Sequence, residues 1–288
     1  MTPDINSPSR PAPAGLSRRW LYAILITAFL FVLMPFLFWR ATWFGRPLTD
    51  AEITKYLADR EHPRKAQHAL SQIADRILSR DPAVRATAGK WYPQVIALSS
   101  SNVDELRITA AWVMGQDNAN AEFHAALLRL LQDTHPMVRR NAALSLVRYG
   151  DASGRTEIRA MLEPYVIPAP RAGTLTQRLK PGDTVNPGTL LGRIDAGQDN
   201  IEIRSQVAGV LERWLVNDGA NVSTGDPLAV ISPSANEAWE ALRALYLVGE
   251  PDDVPGIERY ARAAAELPDA VRRQAVLSAE AIRARTRK

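Results

Sequence analysis

Hydrophobic and polar positions follow three different rhythms along this chain. The first segment has no rhythm at all. Trp20–Trp39 reads WLYAILITAFLFVLMPFLFW, twenty residues without a charge. At about 1.5 Å rise per residue such a run spans roughly 30 Å, the hydrocarbon thickness of a bilayer. It predicts one transmembrane helix over residues 20–40. Trp20 and Tyr22 at one end, with Trp39 and Trp43 at the other, suit the aromatic belts of the two membrane interfaces. The run is longer than a signal-peptide core, and ATWFGR behind it is no small-x-small cleavage site. Pro35 is tolerable in a lipid-embedded helix. Residues 1–19 are rich in Pro, Ser and Ala and predict a disordered tail.

From Thr49 the period becomes helical. Thr49 and Glu52 have the spacing of a capping box, and Ala66, Leu70, Ile73 and Ile77 keep one apolar face. A short phrase then recurs. Asp81-Pro82-Ala83-Val84-Arg85 leads to Ala88, Glu105-Leu106-Arg107 to Ala110-Ala111, and His135-Pro136-Met137-Val138-Arg139 to Ala142-Ala143. Asp or Pro starts a helix, the aliphatic residue is expected to point inward, and the small Ala lets a neighbouring helix approach. Pro268-Asp269-Ala270-Val271-Arg272, leading to Ala275, repeats it near the other end. Helix pairs of about 30–40 residues that cannot bury their faces alone are the mark of a solenoid. The phrase resembles that of the HEAT-repeat family in its short, Ala-rich bacterial form. Helical repeats are therefore expected over 49–163 and again over 235–287.

Between them, residues 165–233 switch to a period of two, with clustered turn residues and more β-branched ones. This segment is duplicated. Ala172-Gly173, a strand, Gly182-x-x-Val185-x-x-Gly188 and a second strand are echoed by Ala208-Gly209, Gly219-x-x-Val222-x-x-Gly225 and Leu228–Ile231. The glycines Gly173, Gly182, Gly188, Gly209, Gly219 and Gly225 are read as turn positions, and Val185 and Val222 as facing inward. Two such halves facing one another predict a small β-sandwich inserted into the solenoid. The fold class is thus multidomain, with α and β parts.

The duplicated half-motif resembles the biotinyl/lipoyl carrier fold, the barrel-sandwich hybrid. Ile194–Leu211, IDAGQDNIEIRSQVAGVL, aligns without gaps on the family's pattern around its carrier lysine. In the family that lysine takes biotin or lipoate; here its place holds Gln198, whose amide is no nucleophile. Lys180 is placed on the strand before the first turn, away from the carrier position. No cofactor is expected. Unmodified relatives of this fold include the membrane fusion proteins of haemolysin-secretion type, which also begin with a short tail and one anchor helix. That resemblance implies a periplasmic adaptor for transport, efflux or secretion. The long helical hairpin that those adaptors carry between the half-motifs is missing, because only Ala196–Asn200 joins the halves.

Charge changes the picture by subtraction. The net +4 resides in residues 1–46, with five arginines against one aspartate, while the folded segments are close to neutral. A nucleic-acid partner is therefore not expected. Arg18 and Arg19 before the anchor, against Arg40 and Arg46 after it, slightly favour a cytoplasmic N-terminus. The expectation is a bacterial inner-membrane protein with periplasmic domains; a cytoplasm-facing assembly or regulatory protein is the alternative.

Candidate chemistry adds little. With no cysteine there is no disulfide or thiolate site. His62, His68, His124 and His135 lack metal-ligand spacing and are read as solvated surface residues. Gly89-Lys90 lacks the upstream glycine of a phosphate loop, no G-x-S-x-G elbow occurs, and Ser99–Ser101 reads as a loop. No enzyme is expected. The expected partners are proteins, met by the solenoid and by the β-domain loops Thr176–Asp183 and Leu215–Asn221. The third reading, an accessory subunit of a biotin- or lipoate-dependent enzyme, is opposed by Gln198.

Overall fold

The computed structural model describes residues 18–41, 46–197, 199–262 and 267–287. They fall into two units, divided between Thr49 and Asp50. The first holds α1, Arg18–Ala41. Its stretch Arg18–Leu37, with mean hydropathy 2.3, is long and apolar enough to cross a membrane. Trp20 and Tyr22 are exposed on it. The Trp39 side chain, Trp43 and the tail 1–17 lie outside the described residues.

The second unit begins with a series of paired helices. These are α2 (Asp50–Leu57), α3 (Pro63–Ile77), α4 (Pro82–Ala88), α5 (Tyr92–Leu98), α6 (Asp104–Met114), α7 (Ala121–Leu130), α8 (Pro136–Val147) and α9 (Arg155–Ala160). Beyond the β segment come α10 (Ala235–Val248), α11 (Val254–Arg262) and α12 (Asp269–Thr286). The pairs are α2/α3, the bent α4–α5 with α6, α7/α8, α9/α10 and α11/α12; the second helices α3, α6, α8, α10 and α12 stack in that order. The starts follow simple capping chemistry. Asp81, Asn120, His135 and Ser234 each accept from a backbone N–H in the first turn of α4, α7, α8 and α10.

The recurrent phrase acquires a physical meaning. Arg85, Arg107 and Arg139 each send Nη1 to the carbonyl six residues back, on Ser79, Ser101 and Asp133. Each arginine ties its helix to the connection that enters it. The alanines Ala88, Ala110, Ala111, Ala142, Ala143 and Ala275 are buried as the close approach demands. Leu106, Val138 and Val271 face the core, but Val84 does not: it is exposed on the short helix α4. In that copy Ala88 alone carries the packing.

The β segment interrupts the fourth pair at the connection between its two helices. α9 and α10 nevertheless pack on one another, and both join one core with α8, α11 and α12. Chain entry and exit make this possible, since Tyr165 on the first strand pairs with Ile231 on the last. The strands are β1 (Tyr165–Pro168), β2 (Gly173–Gln177), β3 (Thr184–Val185), β4 (Leu190–Asp195), β5 (Asn200–Arg204), β6 (Gly209–Trp214), β7 (Asn221–Val222) and β8 (Pro227–Ser232). They form two antiparallel sheets, β1-β8-β6-β3 and β5-β4-β2-β7. If β1–β4 and β5–β8 are taken as the two halves, exchanging them turns one sheet into the other. Each sheet therefore draws strands from both halves, so neither half is a layer by itself. Val185 and Val222 sit in equivalent places of the shared core, with Leu175 and Leu211.

Candidate functional site

The turns that follow β2 and β6 show how the duplication works. Gly182 and Gly219 adopt φ of +97° and +78°, a region that glycine enters at little cost. Gly182 N–H donates to the Leu211 carbonyl of the second half, and Gly219 N–H to the Leu175 carbonyl of the first, each at 2.8 Å. Two of the expected turn glycines have another role. Gly173 and Gly209 open strands β2 and β6, where a side chain would run into the Asp195 and Ser232 carbonyls of the neighbouring strand.

The two loops expected to offer a contact beside that of the solenoid are brought together. Gln177 N–H donates to Asp218, its side-chain amide donates to the Val216 carbonyl, and Trp214 Nε1 donates to the Leu179 carbonyl at 3.0 Å. Thr176–Asp183 and Leu215–Asn221 thus form one surface, with Leu215 exposed on it. Lys180 belongs to this surface. It lies three residues past β2 rather than on a strand, because its N–H caps Asp183 in the turn.

The hairpin between β4 and β5 is short. Ala196 N–H donates to the Asp199 carbonyl, Gly197 N–H to the Asp195 carboxylate, and Arg171 pairs with Asp199 across the tip. Gln198 itself lies outside the described residues.

His62 is exposed, as expected of a surface histidine, whereas His124 and His135 are partly buried and engaged. His62 meets Asp59, and that hydrogen bond, helped by Lys65 and working against desolvation, holds the Asp59 carboxyl down at about 2. His124 Nε2 lies 2.7 Å from Asp151, and His135 caps α8. Among the described residues no three His, Asp or Glu side chains are grouped to hold a metal ion.

A charged joint lies beneath the β domain. Arg140 on α8 is almost fully buried and reaches Glu237 on α10 at 3.2 Å and Glu157 on α9 at 3.9 Å. Burial pushes the Arg140 guanidinium down and the Glu237 carboxyl up, despite their mutual attraction. Burial thus works against the charged form of both groups, and their pairing offsets part of that. Arg155 and Arg159 on α9 also pair with Asp252 and Asp253 ahead of α11.

The stacked second helices line a groove of about 820 Å³. Trp112, Leu144, Tyr246, Leu247 and Leu277 supply its apolar walls, and Arg148 and Arg243 its cations. Trp112 and Trp239 lie on α6 and α10, in segments expected to be helical. Both stand outside the buried stripe of their helices and are exposed, a phase that only the packing of the stack fixes.

Comparison with known proteins follows these two parts. Residues 157–231 match the biotin/lipoyl attachment family, described as biotin-requiring enzymes, and residues 93–164 match HEAT repeats. A biotin/lipoyl-type domain and HEAT repeats are therefore present in the chain. Two curated relatives are dihydrolipoyllysine-residue succinyltransferase components of 2-oxoglutarate dehydrogenase complexes. That of Staphylococcus saprophyticus is 37% identical over 71 residues, 24% of this chain and 17% of the relative. That of Bacillus subtilis is 36% identical over 67 residues, 23% and 16% respectively. The chain spans about a sixth of the length of these relatives. Among solved structures, an engineered protein covers 82% of this chain and 80% of its own length at 14% identity and TM-score 0.42. A designed armadillo repeat protein covers 80% of each chain at 13% identity and TM-score 0.39. A single-chain long-chain acyl-CoA carboxylase covers 46% of this chain and 14% of its own, at 23% identity and TM-score 0.24.

Proposed function

We propose that this chain is a non-enzymatic, membrane-anchored scaffold that holds protein partners. In this reading α1 is the anchor, and the rest projects into the periplasm as an accessory part of a transport, efflux or secretion complex. The observation that carries it is the closure of α9 on α10 across the inserted β domain. One uninterrupted helical surface and one compact β module are thereby held together, an arrangement suited to two simultaneous contacts. The β domain keeps its duplicated frame, while Gln198 stands where a carrier would present lysine.

The test is crosslinking of the full chain in native membranes, followed by identification of what is attached. Other proteins of a membrane complex are expected; recovery of this chain alone would remove the scaffold reading. Alkaline phosphatase fused after Lys288 should be active if the domains are periplasmic, and a cytoplasm-only fluorescent fusion should be dark. The reverse pattern selects the cytoplasm-facing alternative.

The likeness to dehydrogenase-complex components favours a second reading, an accessory subunit of such an enzyme. Intact-mass measurement separates the two. Unmodified chain is expected, whereas an increment matching lipoate or biotin would reverse the choice.

A further inference from the structure

The face built by α6, α8, α10 and α12 carries a combination that folding does not require. A solvent-facing helix surface is ordinarily polar. Here Trp112, Tyr246, Leu247 and Leu277 are 40%, 43%, 59% and 52% exposed, and all four line the one groove. Val147, Ala244 and Ser145 form part of its buried floor. With neighbouring helix axes about 8–10 Å apart, crossing four helices makes a groove roughly 25–30 Å long.

The groove's charges lean positive. Arg107, Arg139, Arg155 and Arg159 meet carboxylates that tie the helical stack together. Arg148 and Arg243 are exposed in the groove and meet none among the described residues. Arg243 lies instead over the Trp239 ring, 4.6 Å from its centre. Glu240 is the one carboxylate lining the groove. Trp, Tyr and Arg in an apolar setting are the residue types that dominate binding energy at protein interfaces.

We propose that this groove docks an acidic, amphipathic segment of a partner protein. Its apolar side covers Trp112, Tyr246, Leu247 and Leu277, and its carboxylates meet Arg148 and Arg243. A second copy of this chain fits poorly, because two such faces would set four arginines against two glutamates. Two cations beside a glutamate are also few for a nucleic-acid backbone.

The proposal rests on the scaffold reading, and the experiment keeps their failures apart. A photocrosslinking residue is placed in the full-length chain at Gln116 or Leu277 in the groove, or at Glu122 or Arg129 on α7 as a control surface. Attached peptides from native membranes are then sequenced. The expected result is a groove adduct with another protein, on a peptide mixing apolar residues with Asp or Glu. Arg148→Glu with Arg243→Glu should reduce that adduct at least tenfold, with helical circular dichroism unchanged; the double Lys variant should keep most of it. Adducts on α7 alone would overturn the groove and leave the scaffold. A groove adduct with lipid, with a second copy, with a basic peptide, or one indifferent to charge reversal would overturn the groove as well. No adduct at any position would overturn both.

Discussion

Arg107 shows what a single repeated residue accomplishes. Besides the Ser101 carbonyl, it grips Asp133 with Nε and Nη2 at 2.7 and 2.9 Å, both side chains being largely shielded from water. Burial by itself would raise the Asp133 carboxyl; the Arg107 hydrogen bonds and the His135 backbone N–H overcome this and hold it below the usual carboxylate value. A carboxylate depressed on folding stabilises the protein above its unfolded pKa of about 4, and that contribution is lost as pH falls further. Arg107→Ala should strand Asp133 and cost about 3 kcal/mol in denaturant unfolding at pH 7. It should also flatten the fall of stability as pH drops below about 4. An unchanged acid limb would show that the pair contributes nothing to folding.

At the scale of helices, the stack is set by how closely second helices approach. Ser145 on α8 donates to the Ala111 carbonyl of α6, and Ser278 on α12 donates to the Leu242 carbonyl of α10. The same device therefore serves two contacts of the solenoid. A side chain added at Gly115 would overlap Ser145, whose Cβ would be 2.6 Å away. Gly115→Ala should cost about 1–3 kcal/mol through overpacking, read as a lowered denaturant midpoint. The backbone of Gly115 is ordinary right-handed helix, so the loss must come from contact alone. Adding Ser145→Gly should restore part of it; a loss that the second change leaves intact would contradict this account.

At the scale of the molecule, the core of the β domain stays separate from that of the helices flanking it. The buried residues of the β domain form one cluster, and those of α8–α12 form another. Because β1 and β8 are neighbours, the domain enters and leaves the solenoid at one place. Replacing residues 165–233 by a short polar loop should leave α9 on α10 and a cooperative thermal transition by circular dichroism. Collapse of the helical signal would instead make the β domain part of the solenoid's foundation.

Much of this organisation was legible in the residues themselves. The uncharged run, the helical phrase and the duplicated G-x-x-V-x-x-G turns are local signals, each tied to backbone geometry or to burial of one face. Periodicity states which face is buried; it does not name the neighbour. That is why Val84 was expected inside and stands outside, and why Gly173 and Gly209 serve close strand approach rather than a turn. For the same reason the exchange of strands between the two β halves could not be read, since hydrogen bonds such as Gly182 to Leu211 join residues far apart in sequence. The order of residues by itself pointed to an apolar helix, helical repeats and a β insertion. Tertiary packing decided that the repeats close across the insertion, and that Arg148 and Arg243 share one groove nearly a hundred residues apart in the chain. Local chemistry selects each element, whereas only the folded stack brings side chains distant in the chain to line one groove.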